Sequence, residues 1–220
     1  MCGRYTLSQS PEAIAAAFGL DTVPEMEPRY NIAPTQLVPV VLYSPDKQRQ
    51  LQLLRWGLIP SWAEDSGIGS RLINARSETV SEKPSFRAAF RQRRCLVVAD
   101  GFYEWQRQEH KKQPYYFLRQ DQQPFGFAGL WENWHSPEGE EIKTCTILTT
   151  EANELMRPIH NRMPVILNPQ DYTLWLDTTT QPTELQHLLH PYSPQVMKSY
   201  PVSTLVNKPT HNSPECINSL

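Results

Sequence analysis

Position 2 is where this chain carries its most unusual chemistry. Met1-Cys2-Gly3-Arg4 sets a cysteine where removal of the initiator methionine exposes it as the N-terminus. Such removal generally requires a small second residue, and cysteine qualifies. The product holds an amine and a thiol on adjacent carbons. The amine can condense with an aldehyde, and the thiol can close the imine into a five-membered thiazolidine. A free α-amino group titrates near about 7.7–8.0, so a useful fraction is neutral at cellular pH. Three other segments bring functional groups. Residues 72–79 place Asn74 and Arg76 two positions apart, on one face if the backbone is extended. Residues 98–105 end a strand with the Glu104 carboxylate among aromatic residues. Residues 159–164 put His160 and Arg162 on a loop entering a strand. Taken singly, each has a structural alternative. A strand-end glutamate is usually solvated, a lone histidine is more often structural than catalytic, and Asn-x-Arg is common by chance.

The elements that must position these groups are short, because 20 prolines interrupt the chain. A helix is expected from Pro11, capped by Ser10 and stopped by Gly19. Residues 24–39 read as an ordered proline-rich loop. Strands are expected over 38–43 and 51–56, joined by a turn at Ser44-Pro45-Asp46, then over 95–99, 102–105, 115–118, 125–131, 144–149 and 164–167. Residues 60–70 read as a loop. Short helices are expected over 86–91, 151–156, 169–176 and 182–189. Residues from 207 onward read as a polar, loose tail. Many short strands with few helices give an α+β chain. The expected architecture is a single domain on a curved, mostly antiparallel, barrel-like β core with peripheral helices.

Composition narrows the class. Cys2, Cys95, Cys145 and Cys216 are widely spaced with no CxxC pair, so no zinc or redox motif is present. No apolar run approaches the ~20 residues of a membrane helix, and no signal-like segment opens the chain. A cytoplasmic protein without membrane, metal or cofactor is expected. Net charge is -2, which does not favour nucleic acid overall. From Arg71 to Arg94, however, seven basic residues (Arg71, Arg76, Lys83, Arg87, Arg91, Arg93, Arg94) face two acidic ones (Glu78, Glu82). That run is either a phosphate-binding stripe or a solvated helix face.

Six segments in order carry a resemblance. They are Cys2-Gly3-Arg4, Arg29-Tyr30-Asn31-Ile32-Ala33-Pro34, Arg55-Trp56-Gly57-Leu58-Ile59-Pro60, Ile73-Asn74-Ala75-Arg76-Ser77-Glu78-Thr79, Asp100-Gly101-Phe102-Tyr103-Glu104-Trp105 and Ile159-His160-Asn161-Arg162-Met163-Pro164. Together the set resembles that of the SRAP family, the SOS-response-associated, abasic-site-processing proteins, over residues 1–209, leaving 210–220 as tail. The resemblance implies a monomer that shields abasic sites in single-stranded DNA by a covalent DNA–protein cross-link. It makes Cys2 the nucleophile, with Asn74, Glu104 and His160 around it. It implies that Arg4, Arg76 and Arg162 bind phosphates and that Trp62 and Trp105 stack on or wedge beside bases, with Pro34, Phe86, Arg87 and Thr149 as further contacts. An open abasic deoxyribose is an aldehyde, so the Schiff base and thiazolidine described above follow from its chemistry, with strand cleavage as a side activity. Two alternatives remain: a cysteine peptidase that pairs Cys2 with His160 and removes Met1 autocatalytically, and a purely noncovalent single-strand binder.

Overall fold

The computed structural model describes residues 2–109 and 111–220. The expected removal of Met1 concerns a residue outside that range. The chain forms β1 (Tyr5–Leu7), α1 (Pro11–Phe18), β2 (Arg29–Ile32), β3 (Leu37–Tyr43), β4 (Arg49–Trp56), β5 (Asn74–Arg76), α2 (Arg87–Gln92), β6 (Arg94–Ala99) and β7 (Gly101–Arg107). It continues as β8 (Lys112–Arg119), β9 (Phe125–His135), β10 (Glu141–Glu151), β11 (Arg162–Pro164), β12 (Ile166–Leu167), α3 (Tyr172–Leu176), α4 (Pro182–Leu185) and β13 (Met197–Pro201).

Five strands close a barrel in the order β10-β4-β3-β6-β9 and back to β10. The β4–β10 seam is parallel, with Arg55 beside Thr144, and the other seams are antiparallel. A closed barrel leaves no exposed edge, and β5, β11 and β12 extend it. The apolar runs Val38-Pro39-Val40-Val41-Leu42 and Cys95-Leu96-Val97-Val98-Ala99 are buried throughout, as strands covered on both faces must be. The expected α+β architecture on a mostly antiparallel, barrel-like core is what the chain adopts, with the parallel β4–β10 seam as an addition.

A second sheet, β13-β8-β7-β1-β2, packs on the barrel. Tyr5 meets Trp56 and Phe127 edge-on at 5.2 and 5.8 Å, and Phe102 meets Phe127 at 5.9 Å. These rings fix the N-terminal strand against the barrel. The helices are peripheral. Ser10 caps α1 by accepting from the Ala13 amide, Gly19 ends it in a left-handed turn, and Phe18 stacks on Tyr172.

Three local expectations change. The 24–39 loop contains β2, which pairs with β1. The helix expected over 151–156 is absent. β10 runs on through Glu151, paired with Arg162, and the Asn153 side chain then accepts from the Met156 amide to make a turn. The C-terminal segment is packed rather than loose. Cys216 is buried, Val202 bridges Ser219, and the Asn31 amide donates to the carbonyls of Val206, Lys208 and His211. Its backbone groups are satisfied by a partner 175 residues or more upstream, which local composition does not reveal.

Candidate active site

Cys2 lies just before β1, and β1 runs antiparallel to β7. The pairing of Tyr5 with Phe102 extends outward through the Tyr103 amide, which donates to the Arg4 carbonyl at 3.0 Å. The chain therefore delivers Cys2 to the region of Glu104, two residues further along β7. β1 is clamped there by Asp100. Its Oδ1 accepts from Thr6 Oγ1 at 2.5 Å, and its Oδ2 accepts from the Ser8 amide and hydroxyl at 2.6 and 2.8 Å.

Cys2 is fully buried, and Glu104 is 3% exposed. Burial, then the neighbouring Glu104 carboxylate, pushes the Cys2 thiol well above its ordinary value. Asn74, at the head of β5, donates from Nδ2 to the Cys2 carbonyl at 2.9 Å. Its Oδ1 is buried without a hydrogen-bond partner among the described residues. β5 exists because it pairs in parallel with β10, Asn74 opposite Ile147 and Arg76 opposite Thr149. Ala75 turns into the core while Asn74 and Arg76 share the other face, and Arg76 is exposed. The structure thus brings together Cys2, Asn74 and Glu104.

His160 stands with Arg162 on the opposite flank of β10. Its Nδ1 lies 3.0 Å from the Arg162 amide nitrogen and 3.1 Å from the Arg162 carbonyl oxygen. Either ring tautomer therefore finds a backbone partner at Nδ1. Arg162 donates from Nη1 and Nη2 to the two carboxylate oxygens of Glu78 at 2.5 and 2.9 Å, and from Nη2 to the Thr149 carbonyl at 2.7 Å. Thr149 is buried and turns its hydroxyl toward the Ala75 carbonyl.

Of the other expected contacts, Trp62 is 59% exposed and Arg87 is exposed at the start of α2. Phe86 is buried, and Pro34 is half-buried in the turn after β2. Arg4 is half-buried. Its Nη1 donates to Asn31 Oδ1 and to the Val206 carbonyl, both at 2.8 Å, and its guanidinium lies 5.9 Å from the Trp105 ring centre. Trp105 donates from its indole to Asn207 Oδ1 at 2.7 Å.

The basic run divides in two. Arg71, Arg76, Lys83, Arg87 and Arg91 are exposed. Arg93 pairs with Glu132, and Arg94 is buried, donating to the carbonyls of Trp175, Phe90, Arg91 and Asp177. Burial pulls the Arg94 guanidinium down to about 10. Those two arginines brace the barrel, so the surface stripe is smaller than the sequence count. Residues that sequence reading left without a role are Glu78, Asp100, Asn31 and Asn207. Each acts through a partner far away in the chain. Among the described residues, no group of three or more His, Cys, Asp or Glu could hold a metal ion, and no helix is long and apolar enough to cross a membrane.

Comparison with known proteins gives one consistent result. The family model described as SOS response associated peptidase (SRAP) matches residues 1–209. The chain is 49% identical over 224 residues to "Abasic site processing protein YoqW" of Bacillus subtilis (strain 168), covering 100% of both chains. It is 36% identical over 222 residues to "Abasic site processing protein HMCES" of Xenopus tropicalis, covering 87% of this chain and 66% of that protein. A crystal structure of a protein from Bacteroides thetaiotaomicron superposes with a TM-score of 0.90 at 29% identity, covering 100% of each chain. A second, from Bordetella bronchiseptica, superposes with a TM-score of 0.80 at 29% identity, covering 92% of this chain and 100% of that one.

Proposed function

The chain belongs to the SRAP family, and from that premise we propose that it processes abasic sites in single-stranded DNA by forming a thiazolidine cross-link through Cys2. The observation that carries this reading is the setting of Cys2, buried beside Glu104 with its carbonyl held by Asn74. The names of relatives such as YoqW and HMCES point the same way.

On this reading Met1 is removed and the Cys2 amine, in its neutral form, adds to the C1′ aldehyde of the ring-opened deoxyribose. The carbinolamine hydroxyl takes up a proton and leaves as water, its C–O bond breaking as the nitrogen lone pair forms the iminium. The thiol sulfur then adds to the same carbon, the thiol proton passes to a base, and the nitrogen is left as a neutral amine in the closed ring. One water is released overall. Glu104 moves the protons, because its carboxylate is the group beside the thiol. His160 assists ring opening or reversal, since its Nδ1 can donate to or accept from Arg162 as the other ring nitrogen changes role. Asn74 fixes the direction of the Cys2 backbone and presents a buried acceptor, Oδ1, to the amine or a sugar hydroxyl.

Arg76 and Arg162 flank β10 and hold the phosphates, with Arg4 and Trp105 braced as a cation–aromatic pair and Trp62 offering an exposed platform. Arg87 extends the contact along α2. Pro34 shapes the turn after β2 along the path of the strand, and the buried Phe86 and Thr149 act through the residues they support. A peptidase mechanism would need a ready Cys2 thiolate, and the thiol is pushed in the opposite direction. The test is a denaturing gel of the protein mixed with a single strand bearing one abasic aldehyde. Wild type is expected to give a shifted band and Cys2→Ala none; a Cys2→Ala variant that still cross-links would refute the reading.

A further inference from the structure

The Arg162–Glu78 pair has a geometry that a DNA phosphate would share. A guanidinium fork binds a carboxylate or a phosphate through the same two parallel N–H···O bonds. Here the fork is filled by Glu78, with Nη1 and Nη2 each donating to one carboxylate oxygen. The partners are unequally held. The Arg162 side chain is 15% exposed and is also tied to the Thr149 carbonyl, whereas the Glu78 side chain is 50% exposed. The arginine is anchored and the carboxylate is detachable. Glu78 also lines an open cleft of about 490 Å³ together with Ser77, Thr150 and Glu151, which gives the side chain room to swing away.

Building on the single-strand DNA reading, we propose that Glu78 is an internal phosphate mimic, a latch that occupies the Arg162 fork until a strand phosphate displaces it. The arginine fork needs a partner in the resting protein, because its side chain is only 15% exposed and a guanidinium with neither water nor an acceptor is costly. Glu78 supplies that partner and keeps the fork aimed. It also opposes the strand, since the incoming phosphate must break two charge-assisted bonds and approach a like charge. The Arg162 hydrogen bond holds the Glu78 carboxyl low, and Arg76 lies close enough to help, so two arginines face the latch carboxylate.

The latch sharpens discrimination. Backbone phosphates are the same in intact and abasic strands, so Glu78 weakens noncovalent binding to both. Only a strand with an aldehyde recovers the loss, through the covalent bond to Cys2. Glu78 is thus a specificity-determining residue that touches no reacting atom.

The experiment is fluorescence anisotropy of wild type, Glu78→Gln, Arg162→Gln and the double variant. The probes are an intact single strand and a strand with an inert tetrahydrofuran abasic analogue, which cannot form an imine. Glu78→Gln is expected to bind both strands about fivefold to tenfold more tightly than wild type, and the gain is expected to vanish in the Arg162→Gln background. Unchanged or weaker binding by Glu78→Gln overturns the latch, and so does a gain that persists without Arg162, which would be a general charge effect. The aldehyde-bearing strand run alongside decides the underlying reading separately. Wild type that cross-links it while Glu78→Gln shows no gain removes the latch alone. Wild type that fails to cross-link it, with the gain intact, removes the cross-linking reading and leaves the latch at an anion site.

Discussion

Cys2 is held in an environment that keeps its sulfur protonated, which suits chemistry that begins at nitrogen. The Cys2→Ser variant tests the division of labour. It retains the amine, so it is expected to form an imine that borohydride traps, to give no cross-link without reductant, and to cleave more strand by β-elimination. Cleavage unchanged from wild type would break the link between ring closure and protection. Glu104→Gln removes the carboxylate while preserving shape, and cross-linking is expected to slow by about a hundredfold, the usual scale for a lost general acid–base. Asn74→Ala frees the Cys2 carbonyl and is expected to slow the reaction about tenfold while costing about 1 kcal/mol of stability, read by single-turnover kinetics and denaturant melts. These functional groups stood out in the sequence only as a set, because each has a structural alternative when taken singly and six segments in order do not. Glu78 did not stand out, since its partner Arg162 is 84 residues away and a surface glutamate in a basic run reads as ordinary charge balance.

Elements matter here through how they deliver the N-terminus. β1 has three residues and β5 has three, too few to show a period, and each exists because a longer strand from elsewhere pairs with it. β13 is hidden for the same reason, its pairing with β8 lying across about 80 residues. The longer barrel strands were legible because β-branched and aromatic runs ended at turn residues. The parallel seam between β4 and β10 was not, because parallel pairing leaves no local mark. The joint between β6 and β7 is the element to perturb. A Cβ on Gly101 would sit 2.1 Å from Tyr116 Oη and 2.3 Å from the ring carbon bearing it, and that hydroxyl lies 2.8 Å from Thr6 Oγ1. Gly101→Ala is expected to lower stability by about 2–3 kcal/mol and to displace β1 and Glu104 together, so cross-linking falls with the melting temperature. A variant that melts early yet reacts at the wild-type rate would show that the joint does not position the site.

Across the whole molecule, a closed barrel and a second sheet bury thiols beyond the one the reaction uses. Cys95 and Cys145 lie inside the barrel with Cys2 at its flank, and burial pushes all three thiols up from an ordinary value of 9.0. In the unfolded chain they ionise near that ordinary value, whereas the folded protein keeps them protonated. The unfolded state therefore binds fewer protons above pH 9. Thiol burial leaves stability unaffected below that pH and lowers it as pH rises, by up to about 4 kcal/mol per pH unit for three thiols. Denaturant melts from pH 8 to 10 are expected to show the loss, and replacing Cys145 with Ala is expected to shrink the slope. The C-terminal segment belongs to the same unit, since Asn31, Arg4 and Trp105 all take partners from residues 206–211. Composition alone suggested a loose tail, because polar side chains that satisfy backbone groups look the same in sequence as those that face water. The central claim rests on one bond type at one residue, and the most direct measurement is an intact mass under denaturing conditions, without reductant, of the protein incubated with a single strand carrying one abasic aldehyde. The account expects a species at the mass of the chain lacking Met1 plus the strand minus one water, with the adduct mapped to Cys2. Unmodified protein, or an adduct mapped to a lysine, would contradict it.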